Sequence, residues 1–130
     1  MPEAHSYDYA VVRVVPQVER DEFINVGVIL FCRSRRFLMA RIALDEKRLL
    51  LHAHEIDSEE VRRHLAAIPR ICAGESTAGP IGALTQAERF HWLVAPRSTI
   101  IQTSPVHCGL CTDPQAALDR LFVAMVNVHQ

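Results

Sequence analysis

Lysine is nearly missing from this chain: of 14 basic residues thirteen are arginine and only Lys47 is lysine. Against 15 acidic residues the formal net charge is −1, so there is no long-range field to draw in a nucleic-acid backbone, and general nucleic-acid binding is disfavoured. Arginine suits bidentate recognition of carboxylates and phosphates, although genomic base composition accounts for the bias more simply. No stretch approaches the ~18 apolar residues of a membrane helix. The opening MPEAHSYDYA has no basic region followed by an apolar run, so a cytoplasmic protein is expected. With five glycines and seven prolines the chain has neither repeats nor the composition of a disordered majority. It also lacks a glycine-rich phosphate loop and a G-x-S-x-G elbow, which leaves phosphate-loop and serine-hydrolase chemistry unsupported. Only four cysteines are present, Cys32, Cys72, Cys108 and Cys111, and in a reducing compartment they default to free thiols.

What is there is an ordinary globular composition, 49% apolar over 130 residues, which points to a single domain over residues 1–130 with one core. A flexible N-terminus at 1–6 and a flexible loop at about 74–80 (GESTAGP) are expected. Tyr7–Val15 reads as a first strand stopped by Pro16, and Val26–Arg33, apolar on both alternating faces, as a strand covered on two sides. Gly27 marks a close approach or bulge within it. Arg36–Ile42 returns after a turn at Ser34 and Arg35 to make an antiparallel hairpin with a basic tip. Asp45 opens a short helix. Asp57 with Glu60 reads as a capping box for a longer one that Pro69 ends or kinks, and Thr85 with Glu88 as the box of a third, although the alternation of Phe90, Trp92 and Val94 fits a strand nearly as well. Ser98–Gln102 and Val106–Cys108 read as short strands around Pro105. Asp113 and Pro114 are the cap and first position of a closing helix. Strands first, helices next, two short strands and a last helix predict an α+β fold: an antiparallel sheet with an N-terminal three-strand region, packed by about four helices including the C-terminal one.

The densest polar cluster is Pro96–Pro114, PRSTIIQTSPVHCGLCTDP. Polar groups concentrated on a segment held between regular elements are suited to binding, so Arg97, Ser98, Gln102, Ser104 and His107 are the candidate binding residues, with solubility and local turn bonding as the plainer use. No catalytic set follows from them. Glu19, Asp21, Glu22 and Asn25, just before the most apolar strand, are a possible supporting polar loop able to hold a divalent ion, although a solvated connection explains them too. Cys108 and Cys111 have the spacing of a zinc or redox pair, but there is no second pair. With His107 as a third ligand in H-C-G-L-C, a fourth would have to come from Cys72, His91, or the His52 and His54 pair, and His107 and Cys108, as neighbours on a strand, would face opposite ways.

The runs FINVGVILF (Phe23–Phe31) and APRSTIIQTSPVHCGLCTDPQAALDRLF (Ala95–Phe122) resemble those of the bacterial family named domain of unknown function 3037, over about Tyr7 to Val126. The resemblance carries no catalytic residue and no cofactor. In it Arg97, Ser98, Gln102, Ser104, Pro105, His107, Gly109, Asp113 and Pro114 mark the motif, while the positions of Cys108 and Cys111 are commonly small residues such as threonine. It implies a setting beside HipA-type kinases. The expectation is a non-catalytic accessory module that binds a protein partner, a HipA-like kinase being the candidate, without membrane association and with a homodimer left open. The alternatives are a metal-dependent enzyme on a nucleotide or phosphorylated substrate, using His107 as acid or base, and a structural zinc domain.

Overall fold

In the computed structural model, which describes residues 3–16, 22–52, 56–97 and 99–126, five strands form one antiparallel sheet flanked by helices on both faces. The strands are β1 (His5–Val14), β2 (Ile24–Cys32), β3 (Phe37–Ile42), β4 (Ile101–Thr103) and β5 (His107–Cys111). The α-helices are α1 (Glu46–His52), α2 (Ser58–Ala73), α3 (Gln86–Leu93) and α4 (Pro114–Val126), with 3-10 turns at Arg33–Arg35 and Ser76–Ala83. None of these helices is long and apolar enough to cross a membrane. The expected α+β class, the N-terminal three-strand region and the closing helix are all present.

β2 sits at the centre because every residue in it except Asn25 is buried. Its alternation divides the core in two. Ile29 and Phe31 join Leu49, Leu65, Ile68 and Phe90 on the face covered by α1, α2 and α3. Val28, Leu30 and Cys32 meet Leu118 and Phe122 of α4 on the other. Fully buried chains such as Ile29, Leu30 and Phe90 each contribute about 1.5–3 kcal/mol relative to exposure. The register between β1 and β2 slips between Val12 and Arg13, and beside that bulge a Cβ on Gly27 would stand 2.7 Å from the Arg41 carbonyl oxygen. Gly27 is therefore the close approach expected of it and borders the bulge, whose unpaired residue is Val26.

The helix signals resolve locally. Asp57 accepts from the amides of Glu59 and Glu60 at 3.1 and 3.2 Å, but the reciprocal half of the box is not made, and Glu60 faces His64 at 3.6 Å instead. At Thr85 and Glu88 both halves form. Asp113 accepts from Gln115 and Ala116 above Pro114, as the cap reading requires. Pro69, expected to end or kink its helix, lies inside α2. The hydrogen bond it removes is outweighed because Ile68, Ile71 and Cys72 on either side of it are buried. The helix ends at Gly74, whose φ of 70° lets its amide and that of Glu75 close on the carbonyls of Ile71 and Arg70. Arg89 locks this corner: its guanidinium donates to the carbonyls of Ile71, Cys72 and Leu84 at 2.9, 2.6 and 3.0 Å.

β1 begins at His5, inside the stretch expected to be flexible, because β5 pairs with it from His5 to Tyr9. β4 pairs with the other end, Val12 to Val14. The two short strands are thus one edge strand, broken in the middle. Between the paired ends, Ala10 and Val11 of β1 face three residues, Ser104, Pro105 and Val106.

Candidate functional site

The break in the edge strand is built by Ser104. It is buried at 3% exposure, its amide donates to the Val11 carbonyl at 2.8 Å, and its hydroxyl accepts from the Val11 amide at 2.9 Å while donating to the Pro105 carbonyl. The side chain thereby supplies the acceptor that the bulged backbone has turned away, and Pro105 falls where no strand partner needs its missing amide.

N-terminal to this bulge, Arg97 folds back on α3 instead of entering a strand. Its guanidinium donates to the carbonyls of Trp92 and Leu93 at 2.6 and 3.2 Å and lies 4.3 Å above the Trp92 ring. A cation on the last carbonyls of a helix satisfies groups that have no helical partner and complements the dipole. Thr99 donates to the Ile101 carbonyl, Gln102 to that of Thr99 and Thr103 to that of Val94, at 2.8, 2.9 and 3.4 Å. These bonds bend the chain at Thr99 and Ile100, so the strand expected over Ser98–Gln102 is found at Ile101–Thr103. The one expected over Val106–Cys108 moves to His107–Cys111.

The segment so fastened forms one wall of a groove whose other wall is α2. A cavity of about 570 Å³ runs between Ile56, Val61 and His64 and the stretch Arg97–Ile101. It continues into one of about 170 Å³ reaching Ile68, Ile71, Trp92 and Thr103. Its lining is mostly apolar, Trp92 and Ile100 are each 41% exposed, and Asp57, Glu60, His64 and Arg97 stand along its rim. The exposed His64–Glu60 pair contributes little stability on its own.

Of the residues singled out from the sequence, Arg97 and Gln102 border this groove, Ser104 is interior and Ser98 lies outside the described residues. His107 is remote from it on β5, exposed and stacked on Tyr9 with ring centroids 5.5 Å apart. Glu19 and Asp21 lie outside the described residues, as does His54, and the side chain of His52 is not described. Glu22 is exposed ahead of Ile24, which pairs with Val14, whereas His107 pairs with Tyr9, five residues or about 16 Å along β1. The structure does not bring Glu22 and His107 together. Asn25 meets Gln102 only through Arg13, which pairs with Asn25 on one side and Gln102 on the other, while the Asn25 amide donates to the Met125 carbonyl at 3.1 Å. Arg13 lies 4.0 Å over the Phe23 ring.

All four thiols are free. Cys108 is exposed and Cys111 buried, as their odd spacing on a strand dictates. Burial pushes Cys111 up, and it pushes Cys72 up to about 12 against the opposing pull of Arg89. Among the described residues no group of three or more His, Cys, Asp or Glu converges on a position that would hold a metal ion. What the sequence reading missed is the groove itself, because its walls, α2 and the stretch from Arg97 to Thr103, are separated along the chain by the Ser76–Ala83 turn and α3. The only local hint was the pair of apolar residues Ile100 and Ile101 amid the polar run.

A family model described as "Protein of unknown function (DUF3037)" matches residues 9–126, nearly the whole chain, and the chain belongs to that family. No curated protein and no solved structure matches it.

Proposed function

We propose that, within a family whose description assigns no activity, this protein is a non-catalytic accessory module that binds a protein partner through the groove between α2 and Arg97–Thr103. The observation that carries the reading is the use of the polar groups. Arg97, Thr99, Gln102 and Thr103 bond main-chain carbonyls of their own chain, so the groove offers fixed walls and an apolar floor. At about 570 Å³ it has the volume of a pocket that takes one or two large apolar side chains, the anchors that dominate most interfaces. Asp57 and Glu60 on the α2 wall and Arg97 on the facing wall give a bound segment charges of both signs to align on. A HipA-like kinase, the partner implied by the family resemblance, is the first to test, and four free thiols agree with a bacterial cytoplasm.

The experiment is calorimetric titration of the purified kinase with wild-type protein and with Ile100→Asp, a change at an exposed site that leaves the fold in place. A buried anchor contact predicts about 2 kcal/mol of lost binding, roughly thirtyfold. Absence of binding by the wild type removes the kinase as partner. Binding by Ile100→Asp as tight as wild type removes the groove.

A further inference from the structure

The outer edge of β5 is open among the described residues. β5 pairs with β1 along one side, and along the other it has no strand partner among the described residues. From Ser104 to Thr112 the chain carries no Asp, Glu, Lys or Arg. Val106 is 45% and Leu110 70% exposed, with the exposed Cys108 between them at alternating positions on one side of the strand. The opposite edge of the sheet differs: β3 carries Arg41, paired with Asp119 at 3.1 Å, and the Gln86 side chain covers the Arg36 carbonyl at 2.8 Å. Edges of soluble sheets are ordinarily blocked by charge, proline or cover, and an open, neutral, apolar one is a template for another strand.

We infer that β5 joins β5 of a second copy of this chain, antiparallel about a two-fold axis passing through Cys108. The run reads alike from both ends about that axis: Val106 falls opposite Leu110 of the second copy, Cys108 opposite Cys108, and His107 opposite Gly109. Apolar side chains meet apolar ones, and no charged side chains within the run are brought together. Gly109 leaves room on its own side only for the Tyr7 ring, whose hydroxyl would stand 2.6 Å from a Cβ there. His107 of the second copy therefore comes beside Tyr7 and extends the row already made by Tyr7, Tyr9 and His107. Ser104 and Pro105 end the pairing at one side, the hydroxyl being spent on the bulge and the proline having no amide to give. A self-matching strand is what an isologous interface needs, and a second copy supplies it without further adaptation.

The test joins a mass measurement to a cross-link. Sedimentation equilibrium over a concentration series should give a dimer, and Leu110→Arg should raise its dissociation constant at least about tenfold, with a wild-type circular dichroism spectrum because Leu110 is so exposed. A short bismaleimide should couple two wild-type chains, since Cys108 is the exposed thiol and the other three are buried, and should fail with Cys108→Ser. A monomer throughout the series overturns the inference. So does a dimer that Leu110→Arg leaves unchanged, or one that the bismaleimide does not couple. Ile100→Asp should leave the dimer untouched, so the groove and the strand edge stand or fall separately.

Discussion

From Arg97 to Ser104 each described polar side chain bonds a main-chain carbonyl, whereas from Val106 to Leu110 the side chains point outward and, His107 apart, carry no strong polar group. The strands within them, β4 and β5, are halves of one edge strand on β1, separated by the Ser104 bulge. The half richer in polar residues is the one with fewer of them to offer a ligand. Density of hydrogen-bonding groups in a sequence measures the demand for them as much as the supply. Here a turn, a helix end and a bulge, all short of regular pairing, consume what the segment carries.

Four substitutions and conditions probe that contrast. The largest effect is expected at Ser104→Ala, which leaves the buried Val11 amide without its acceptor and should cost about 1–3 kcal/mol in urea unfolding. A loss below about 0.5 kcal/mol would make the bulge incidental. Arg97→Ala removes the helix-end bonds and the stacking on Trp92, and should cost about 1 kcal/mol, with Arg97→Lys falling between because it keeps charge without the planar fork. If Arg97→Ala keeps full stability and yet abolishes partner binding, the residue is a contact rather than a fastener. On the other half, Leu110→Ser measured in dilute protein should change stability by less than about 0.5 kcal/mol, the figure for a surface position. The smallest effect is in acid. The bonds from Thr85 hold the Glu88 carboxyl below the usual glutamate range, so the capping box of α3 contributes fully above the ordinary glutamate value. That contribution is lost as pH falls through the depressed one, and Glu88→Ala should flatten this part of the pH–stability curve.

The sequence reading succeeded where the determinants are local. Thr85 with Glu88 and Asp113 with Pro114 specify helix starts within four residues, and the uninterrupted apolar run of β2 announces a strand covered on both faces. It failed where distant groups decide. Pro69 is carried through α2 by the buried Ile71 and Cys72, and nothing near Ser104 reveals that Val11 waits ninety-three residues away for its hydroxyl. The segment from Arg97 was identified, but its polar chemistry and its strand length were misjudged for the same reason: the carbonyls of Trp92 and Leu93 take Arg97 back toward α3. The groove beside it belongs to no local pattern.

Native-state amide exchange at Val11, compared between wild type and Ser104→Ala, tests most directly whether the polar side chains of this edge are fasteners. Protection of Val11 near the level of global unfolding in the wild type is expected, falling at least about tenfold, or about 1.4 kcal/mol, in the variant. A Val11 amide that exchanges as freely as a loop in the wild type, or one that the substitution leaves unchanged, would contradict it.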